Sequence, residues 1–325
     1  MRETKNFWNR KKVAVFGGSG FIGSHIVEEL VRRDAIVTAV VRKKDDEHLE
    51  NLRFVLYKIK VLEADLLDAK ACEKAVAGQD IIINAAAVDG GSKFKAKYPF
   101  KIFHDNVLIA LNILSALNEK VEQYIQISSA AIYYSSNVLE SETKETADYA
   151  FPPVDASYAY SWSKIFTEII CRFHSQRFGT KILIIRPLNI FGPRDIIDDE
   201  RIRLIPFLIR EIKKGSTRIK LSGPGNRIVS FLFVKDFVDN LLNAIELQTK
   251  IFDVVNFGSE EEISLRELCY LIADLMNRKV DFVFDNDTFP PIRNVADLTK
   301  AKKEYGFKQY TSIREGLKRL LNLRP

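Results

Sequence analysis

Two residues four positions apart, Tyr160 and Lys164, have side chains suited to acid–base chemistry. On a helix this spacing places both side chains on one face, one turn apart. An ammonium group beside a tyrosine hydroxyl stabilises the phenolate and lowers the tyrosine pKa from about 10. We therefore predict that Tyr160 is a general acid or base for a sugar or alcohol oxygen. The alternative is that the pair is an exposed turn of an amphipathic helix.

A serine at the end of an apolar run supports the catalytic interpretation. The run Tyr124–Ser128 has the character of a buried strand, and Ser129 follows it directly. In parallel α/β sheets, ligands bind beyond the carboxyl ends of the strands. We expect the Ser129 hydroxyl to donate to the same substrate oxygen as Tyr160, and Lys164 to reach the nicotinamide ribose of a cofactor.

The elements that must position these residues begin with a glycine-rich turn. The apolar run Val13–Phe16 is followed by Gly17, Gly20 and Gly23, and then by helical spacing over Ser24–Arg32. This order of strand, glycine turn and helix is typical of a dinucleotide-binding unit, in which the helix N-terminus holds the pyrophosphate. A tight turn with no ligand is the alternative.

The end of the second strand indicates which dinucleotide binds. We predict this strand over Ala35–Val41. An NAD-binding fold usually closes it with an acidic residue that holds the ribose 2′-hydroxyl, whereas here Val41 is followed by Arg42 and Lys43. Cations in place of a carboxylate favour the 2′-phosphate of NADP over NAD. A solvated charge run over residues 42–44 is the alternative.

Further strands are predicted to complete the cofactor site. The alternation over Phe54–Leu62 predicts a third strand, after which Asp65 either faces the adenine amino group or caps a helix that starts near Asp68. A fourth strand over Asp80–Asn84 ends in small residues, against which a dinucleotide could lie. The predicted cofactor-binding residues are Gly17, Ser19, Gly20, Phe21, Ile22, Gly23, Arg42, Lys43, Asp65, Leu66, Ala85, Ala86, Ala87, Lys164 and Pro187.

The remaining elements predict two lobes. Long helices are expected over Pro99–Asn118 and Tyr158–Phe178, with a polar loop over Ser135–Asp155 between them. Beyond Pro193 the regular alternation stops, and the segment Val229–Val234 with its following helix is predicted to return to the main sheet. The expected division is a loose arm at 1–12, a dinucleotide-binding domain at 13–189 plus 227–257, and a substrate lobe at 190–226 plus 258–325.

Composition and charge bound the class of protein. The 325 residues are 46% hydrophobic and 28% charged, which indicates a globular chain large enough for one big domain or two lobes. The net charge is +6, but the cations are scattered, so we predict a small anionic ligand and no nucleic acid. Three widely spaced cysteines indicate a reducing compartment. With no apolar signal or span, we expect a cytoplasmic protein without membrane contact. The four histidines show no ligand spacing, and no metal site is predicted.

These motifs together resemble the extended short-chain dehydrogenases/reductases of the nucleotide-sugar epimerase/dehydratase type. The resemblance covers nearly the whole chain and rests on Gly17-Gly-Ser-Gly-Phe-Ile-Gly23, Asp65-Leu66, Asn84-Ala-Ala86, Ser128-Ser129, Tyr160-Ser-Trp-Ser-Lys164 with Glu168, Arg186-Pro-Leu-Asn-Ile-Phe-Gly-Pro-Arg194, Gly223 to Asp236, and Arg293-Asn-Val-Ala-Asp297. It implies an α/β fold with a doubly wound parallel sheet of the Rossmann type and a smaller C-terminal α/β lobe for a nucleotide-sugar. It also implies Ser129, Tyr160 and Lys164 as a catalytic triad, and a homodimer with a four-helix interface formed by the helices near 100–118 and 158–178.

Within that family, the loop Ala86-Ala-Val-Asp-Gly-Gly91 is most similar to the GDP-fucose synthase branch, which reduces a 4-keto sugar with NADPH. That branch also epimerises carbons 3 and 5 with a cysteine and a histidine, but the matching positions here are Ala131 and Arg194. A 4,6-dehydratase needs an Asp-Glu pair where this chain has Ala130 and Ala131. The resemblance therefore implies hydride transfer at one carbon, without 3,5-epimerase or 4,6-dehydratase activity.

The resemblance also implies a set of substrate contacts. Asn189 would touch the sugar diphosphate. The family usually places an arginine where this chain has Val229, and Arg227, two residues earlier on the same face of a strand, could substitute for it. The predicted substrate-binding residues are Val88, Ser129, Tyr160, Asn189, Arg194, Arg227 and Arg293.

Three functions stay open at this point. The leading prediction is an NADPH-dependent reductase of a 4-keto nucleotide-diphosphate sugar, with GDP-linked sugars among the candidates. The second is a nucleotide-sugar 4-epimerase that uses the same catalytic residues and keeps NAD tightly bound; the Arg42-Lys43 pair disfavours it. The third is a non-catalytic, cofactor-binding regulatory protein, which the intact Ser129, Tyr160 and Lys164 disfavour.

Overall fold

A parallel β-sheet flanked by helices forms the larger part of the chain. In a computed structural model, the described residues are 7–133, 154–195, 198, 200–285 and 293–322. The strands are β1 (Lys12–Phe16), β2 (Ile36–Val41), β3 (Lys60–Glu63), β4 (Ile81–Asn84), β5 (Gln123–Ile127), β6 (Ile182–Pro187), β7 (Ile190–Phe191), β8 (Arg218–Ser222), β9 (Ile228–Ser230), β10 (Leu232–Phe233), β11 (Phe252–Phe257), β12 (Glu262–Ser264), β13 (Asp281–Asp285) and β14 (Arg293–Asn294). The helices are α1 (Phe21–Arg32), α2 (Asp46–Leu49), α3 (Ala69–Val76), α4 (Ser92–Lys97), α5 (Pro99–Ala116), α6 (Ala159–Phe178), α7 (Leu204–Lys213), α8 (Val234–Leu247), α9 (Leu265–Leu275), α10 (Thr299–Tyr305) and α11 (Ile313–Leu320).

Seven strands form the main sheet, in the order β11-β6-β5-β4-β1-β2-β3. Every neighbouring pair in this sheet runs parallel. The chain leaves β1 towards β2 and β3 and then returns to the other side of β1 with β4, so the strand order reverses there. In such sheets a ligand crevice lies at the carboxyl ends of the strands beside the reversal. The predicted doubly wound α/β fold is confirmed.

Both faces of the main sheet are apolar, as the alternation of side chains in β1 shows. Val13 and Val15 belong to the core on the face covered by α1 and α8. Ala14 and Phe16 belong to the core on the opposite face, with α3, α5 and α6. Helices must cover both faces of a parallel sheet with this pattern. This arrangement places α6, which carries Tyr160, beside the strands that end at the crevice.

A third apolar core, the C-terminal core, joins the smaller C-terminal elements. Leu208 of α7, Leu268 of α9 and Leu317 of α11 are fully buried in it. Here β8 pairs with β13, and β9 lies between β12 and β14. The short β7–β10 pair links the main sheet to the C-terminal core, because Leu232 packs with the main sheet while Phe233 packs in the C-terminal core. The limits predicted for the two domains stay a prediction.

The structure corrects the predicted third strand and the N-terminal arm. The third strand covers only Lys60–Glu63, because residues 56–58 form a short 3₁₀ turn. Tyr57 is 80% exposed, so the alternating pattern there marks surface aromatic groups and not a buried face. The described part of the arm, from residue 7, is not loose. Trp8 is buried in the core between the main sheet, α1 and α8, and its indole N–H donates to Glu246 of α8.

The segment Val229–Val234 does not enter the main sheet, contrary to the prediction. Its strands β9 and β10 pair with short strands of the C-terminal part instead. The edge of the main sheet beside β6 is occupied by β11, which comes later in the chain. A short apolar run carries no information about which strand it pairs with. For this reason the position of Val229–Val234 could not be predicted from the sequence. The helix predicted after this segment is present as α8.

The long helices agree with their predictions. α5 and α6 cover the predicted ranges to within two residues, and α6 ends at Gly179, whose φ of 69° is left-handed. Of the loop predicted over 135–155, residues 135–153 lie outside the described part of the chain. Within the described ranges, no helix combines the length and the apolar character needed to cross a membrane.

Candidate active site

The glycine turn after β1 forms a cradle for an anion. Gly17 has a φ of +74°, and a Cβ there would lie 2.9 Å from the backbone of Ala86. A Cβ on Gly23 would lie 2.1 Å from the Gly17 carbonyl oxygen, so only glycine allows α1 to start this close to the turn. The N-cap residue of α1 is Gly20. Among the described residues, no side chain caps this helix N-terminus, and no acidic residue lies in the first turn of α1. The first N–H groups of α1 are therefore available to a phosphate.

The other cofactor residues predicted around this turn lie close to it. Ser19, Phe21 and Ile22 are in the turn and the first turn of α1. Ala85 donates its N–H to the Phe16 carbonyl over 3.0 Å, which brings the 85–87 segment beside Gly17. The predicted phosphate turn and the small-residue strand end thus meet at the switch point. The contacts these residues make with a cofactor stay predictions.

The predicted adenosine end of the site lies at the ends of β2 and β3. Arg42 and Lys43 are exposed directly after β2. Asp65 accepts a hydrogen bond from the Leu67 N–H, while Asp68 is the residue that caps α3. Of the two roles predicted for Asp65, helix capping is therefore wrong, and the adenine contact stays a prediction. Leu66 contributes its carbonyl to a hydrogen bond from Asn112 of α5, over 3.0 Å.

Ser129, Tyr160 and Lys164 are brought together at the carboxyl end of the sheet. Tyr160 and Lys164 are 9% and 3% exposed on α6. The Lys164 ammonium lies 5.6 Å from the Tyr160 ring centroid and donates to the Ile127 carbonyl, at the end of β5, over 3.0 Å. The Ser129 hydroxyl oxygen, just after β5, accepts from the Ala131 N–H over 3.1 Å, and the hydroxyl acts on the pKa of Tyr160. Three side chains from two neighbouring elements therefore converge where a substrate oxygen could bind.

Burial controls the protonation of this group. It raises the pKa of Tyr160 well above its ordinary value, and the charge of Asp89 raises it further, against Arg203 and the Ser129 hydroxyl. Burial also lowers the pKa of Lys164, to about 8, against the charges of Asp89 and Glu168. The pKa of Tyr160 is thus displaced upwards, opposite to the direction predicted from its spacing to Lys164. The reason is that desolvation outweighs the ammonium, which points to a backbone carbonyl.

A buried ion pair lies one helical turn after the Tyr160–Lys164 pair of α6. Glu168, one turn after Lys164, is fully buried and pairs with Arg186 of β6 over 2.7 Å. The Ser128 hydroxyl at the end of β5 donates to the same carboxylate. Arg186 also donates to the Tyr133 hydroxyl over 2.7 Å. The pair therefore fixes α6 to the ends of β5 and β6, the two strands nearest the site.

Four polar residues around Tyr160 were missed by sequence reasoning: Asn106, Asp89, Lys95 and Arg203. The Val88 N–H donates to the side-chain oxygen of Asn106 in α5 over 2.8 Å, and the Asn106 side-chain amide donates to the Val88 carbonyl over 3.0 Å. A polar residue on the buried face of an otherwise apolar helix was the available signal for Asn106. Asp89 lies in the loop after β4 and pairs with Lys95 and Arg203. No sequence signal joins these three, because Arg203 comes from a distant segment.

Two of the predicted substrate residues lie where the C-terminal lobe meets the main sheet. Asn189 donates its side-chain amide to the Ser230 carbonyl over 2.9 Å, which links the end of β6 to β9. Arg227 lies just before β9 and is partly buried; among the described residues its Nε has no hydrogen-bond partner. Burial lowers the pKa of Arg227, which is the effect expected of a cation that lacks an anion. Arg227 is therefore suited to bind a phosphate.

The other two predicted arginines are engaged elsewhere. Arg194 donates to Glu28 of α1 over 2.6 Å and to the Ser24 hydroxyl over 3.3 Å. Arg293 of β14 pairs with Glu262 of β12. Substrate contact by either arginine would have to compete with these carboxylates. Pro187, the last residue of β6, pairs in register with Phe257 of β11 at the same sheet edge.

The fold is that of a dinucleotide-binding protein, with a buried tyrosine–lysine pair at the carboxyl end of its parallel sheet. Residues 13–258 match the NAD-dependent epimerase/dehydratase family. The chain belongs to this family and is an NAD(P)-dependent oxidoreductase or epimerase of nucleotide-sugars.

Relatives of known activity include both reductases and epimerases. A dTDP-4-dehydro-6-deoxy-D-allose reductase of a Streptomyces species is 29% identical over 280 residues, which is 85% of this chain and 84% of the relative. The GDP-mannose 3,5-epimerase of Arabidopsis thaliana is 25% identical over 97% of this chain and 83% of its own length. The UDP-glucose 4-epimerase of Thermotoga maritima has the same fold, with a TM-score of 0.83, 23% identity and coverage of 96% and 97% of the two chains.

Proposed function

We propose that this protein is an NADPH-dependent reductase of a 4-keto nucleotide-diphosphate sugar. The observation that supports the proposal is the burial of Tyr160 within reach of the Asp89 charge, because burial and this charge both raise its pKa and so favour the phenol. Reduction of a carbonyl needs a proton donor at the oxygen, and a phenol meets this need directly. A 4-epimerase must instead begin by removing a proton from a hydroxyl, for which a phenolate is required.

The residues that would hold the cofactor fit a dinucleotide. The uncapped α1 N-terminus suits a pyrophosphate, and Gly17 and Gly23 allow the turn and α1 to pack closely enough to present it, since a Cβ on either would collide with backbone atoms. Arg42 and Lys43 are exposed beside this turn and suit a 2′-phosphate, which supports NADP over NAD. When bound, NADPH supplies the hydride that reduces the sugar carbon.

The chain's own residues carry the proton chemistry. Tyr160 donates its hydroxyl proton to the carbonyl oxygen at carbon 4, and the Ser129 hydroxyl donates a hydrogen bond to the same oxygen. The Lys164 ammonium, fixed by the Ile127 carbonyl, offsets the negative charge that Tyr160 acquires. Arg227 binds the diphosphate, supported by its buried Nε, which has no hydrogen-bond partner among the described residues. Asn189, whose amide donates to the Ser230 carbonyl, adds a second contact to the diphosphate. Val88 borders the sugar, because it packs in one apolar cluster with Tyr160.

The surroundings of Tyr160 favour reduction without epimerisation at carbons 3 and 5. Ala131, at the position of the cysteine in the fucose synthase branch, packs its methyl group against the apolar cluster of Tyr160. Arg194, at the position of the histidine, pairs with Glu28. Ala130 and Ala131 likewise offer no carboxylates for a 4,6-dehydration. The Streptomyces relative, whose name describes reduction of a 4-keto 6-deoxy sugar, supports the same assignment.

We also propose that the enzyme is a cytoplasmic homodimer. Phe100 of α5 and Phe173 of α6 are 77% and 62% exposed on the two helices expected to form a four-helix interface. Exposed aromatic groups on adjacent helices are typical of a covered surface. Mass measurement in solution tests this: Phe173→Glu should convert a dimer to a monomer. The free, buried thiols of Cys72, Cys171 and Cys269 fit a reducing compartment.

The experiment that tests the activity uses the purified full chain with NADPH and 4-keto-6-deoxy sugars linked to GDP, dTDP or UDP. We expect one of them to oxidise NADPH, with a product that has gained two hydrogens by mass spectrometry. Failure of all three to consume NADPH would contradict the proposal. Tightly bound NAD in the purified protein, with turnover that needs no added cofactor, would favour the 4-epimerase.

A further inference from the structure

Asp89 is an acidic residue at the centre of a charged cluster that covers Tyr160. It lies in the loop between β4 and α4, where its Oδ1 is 3.1 Å from the Lys95 Nζ and its Oδ2 is 3.2 Å from an Arg203 guanidinium nitrogen. The Lys95 ammonium in turn lies 4.1 Å from the centroid of the Tyr160 ring. The carboxylate is therefore fixed beside the catalytic residues by two cations from different parts of the chain.

The backbone around Asp89 is held as firmly as its side chain. Gly91 donates its N–H to the Arg201 carbonyl over 2.9 Å, and a Cβ on Gly91 would lie 2.3 Å from the Ile202 carbonyl oxygen. On the other side, Asn106 fixes Val88 by two hydrogen bonds. The loop after β4 thus packs directly on the 201–203 segment, which leads into α7 of the C-terminal lobe. These contacts fix the backbone on both sides of Asp89, while Lys95 and Arg203 hold its carboxylate.

We propose that Asp89 is a positioning residue of the reaction, whose carboxylate holds Lys95 over the Tyr160 ring, sets the electrostatic field at Tyr160 and Lys164, and ties the loop after β4 to the 201–203 segment. This rests on the proposed reductase function, in which both groups must carry their protons. An anion disfavours a second negative charge and favours a positive one nearby, and the low polarity of a buried site strengthens both effects.

The charges that face the two catalytic residues are few and of known sign. Tyr160 faces Asp89, Lys95, Lys164 and Arg203. Lys164 faces Asp89, Lys95, Glu168 and the Cys171 thiol, whose pKa burial raises. Asp89 raises the pKa of both Tyr160 and Lys164, while Lys95 lowers the pKa of Lys164. Burial opposes ionisation of Asp89, but Lys95, Arg203 and the Gly90 N–H lower its pKa overall, so it is a carboxylate at neutral pH. Asp89 and Lys95 therefore act on Lys164 in opposite directions.

The test measures the protonation of Lys164 without relying on turnover. The full chain is labelled with ¹³C,¹⁵N-lysine, the Lys164 signal is assigned by its loss in Lys164→Arg, and its NMR shift is followed against pH. We expect the Lys164 midpoint, about 8 in the unaltered protein, to fall in Asp89→Asn and to rise in Lys95→Met. Superimposable titrations of Asp89→Asn and the unaltered protein would overturn the proposal. If Asp89→Asn does not fold, Asp89→Ser is titrated in its place, and an unchanged Lys164 midpoint in that variant overturns the proposal.

A matched control separates the electrostatic role from the cross-link. The exposed pair Lys97–Glu200 also joins α4 to the segment before α7, but it is absent from the charges acting on Tyr160 and Lys164. Glu200→Gln should leave the Lys164 titration unchanged, and a shift equal to that of Asp89→Asn would overturn the proposal. In turnover, Asp89→Asn should move the alkaline limb of kcat/KM to lower pH. An inactive unaltered protein would refute the reductase function, whereas the NMR titration would still decide the role of Asp89.

Discussion

The Lys164 ammonium donates to the carbonyl oxygen of Ile127 over 3.0 Å, which joins the catalytic turn of α6 to the last residue of β5. The position of the charge in the cleft is therefore set by the sheet and not by the tyrosine beside it. Since Lys164 is almost fully buried and lies 5.6 Å from the Tyr160 ring centroid, its charge reaches the site through a weakly screened medium.

Replacing Tyr160 with phenylalanine should remove the proton donor and keep the ring that packs against Phe94 and Ile102. We expect kcat to fall by roughly 10²–10⁴-fold, the usual contribution of general acid catalysis, with an unchanged melting temperature. Tyr57→Phe, on the exposed 3₁₀ turn, is the control and should retain full activity. A Tyr160→Phe enzyme with normal turnover would show that another group protonates the substrate.

The rate should depend on the charge of Lys164. Burial lowers its pKa to about 8, so the ammonium is present below that pH and is lost above it. We expect kcat/KM to be level near neutrality and to fall as the pH rises through about 8. A pH profile with saturating NADPH measures this. A rate that keeps rising beyond this pH would mean that the site needs a neutral lysine.

Arg42 and Lys43 should decide the choice of cofactor. The double substitution Arg42→Ala/Lys43→Ala should raise the KM for NADPH by about 10–100-fold, since one charge-assisted hydrogen bond contributes about 1.5–3 kcal/mol and solvent screens the second exposed cation. The KM for NADH should stay the same, because it has no 2′-phosphate. Lys44→Ala, in the same exposed run, is the matched control. Equal losses with both cofactors would indicate that the run is only solvated surface.

Arg227 should act on substrate affinity alone. Its Nε is buried without a hydrogen-bond partner among the described residues, so the nucleotide-sugar diphosphate would satisfy it. Arg227→Ala should raise the KM for the nucleotide-sugar by about 10-fold or more and leave kcat nearly unchanged. Arg218→Ala, an exposed arginine of β8, is the control. A fall in kcat at constant KM would place Arg227 in the chemistry and not in binding.

The glycine turn should tolerate no side chain at Gly23. A Cβ there would lie 2.1 Å from the Gly17 carbonyl oxygen, so Gly23→Ala must displace α1 from the turn. We expect a loss of about 1–3 kcal/mol of stability, typical of overpacking, and weaker binding of the dinucleotide. Gly258→Ala is the matched control, because a Cβ there meets Leu188 only at 3.4 Å. Chemical unfolding and cofactor titration measure the two effects, and a Gly23→Ala protein as stable as Gly258→Ala would contradict them.

Much of the fold could be predicted because its signals are local. The glycine spacing after β1, the apolar runs and the helical periodicity of α5 and α6 each lie within one element. The partners of short strands could not be predicted, and for that reason Val229–Val234 was placed in the wrong sheet. The alternating pattern around Tyr57 likewise predicted too long a third strand, because its aromatic side chains face the solvent.

In the candidate site, too, the local features could be predicted from the sequence and the tertiary contacts could not. The convergence of Ser129, Tyr160 and Lys164 follows from one helix turn and one strand end. The charges that control them do not, since Asp89 and Arg203 are 114 positions apart and meet only in the folded chain. The direction of the Tyr160 pKa shift was wrong for a related reason: burial is a property of the tertiary structure and outweighs the adjacent ammonium.

The central claim is that the enzyme reduces carbon 4 with a hydride from exchangeable NADPH. The most direct measurement supplies deuterated NADPH, labelled at the transferred position, with a 4-keto nucleotide-sugar and locates the deuterium in the product by NMR. We predict one deuterium at carbon 4 in a single configuration, with stoichiometric oxidation of the cofactor. Conversion of a 4-hydroxy nucleotide-sugar to its epimer without deuterium from added cofactor would contradict the account.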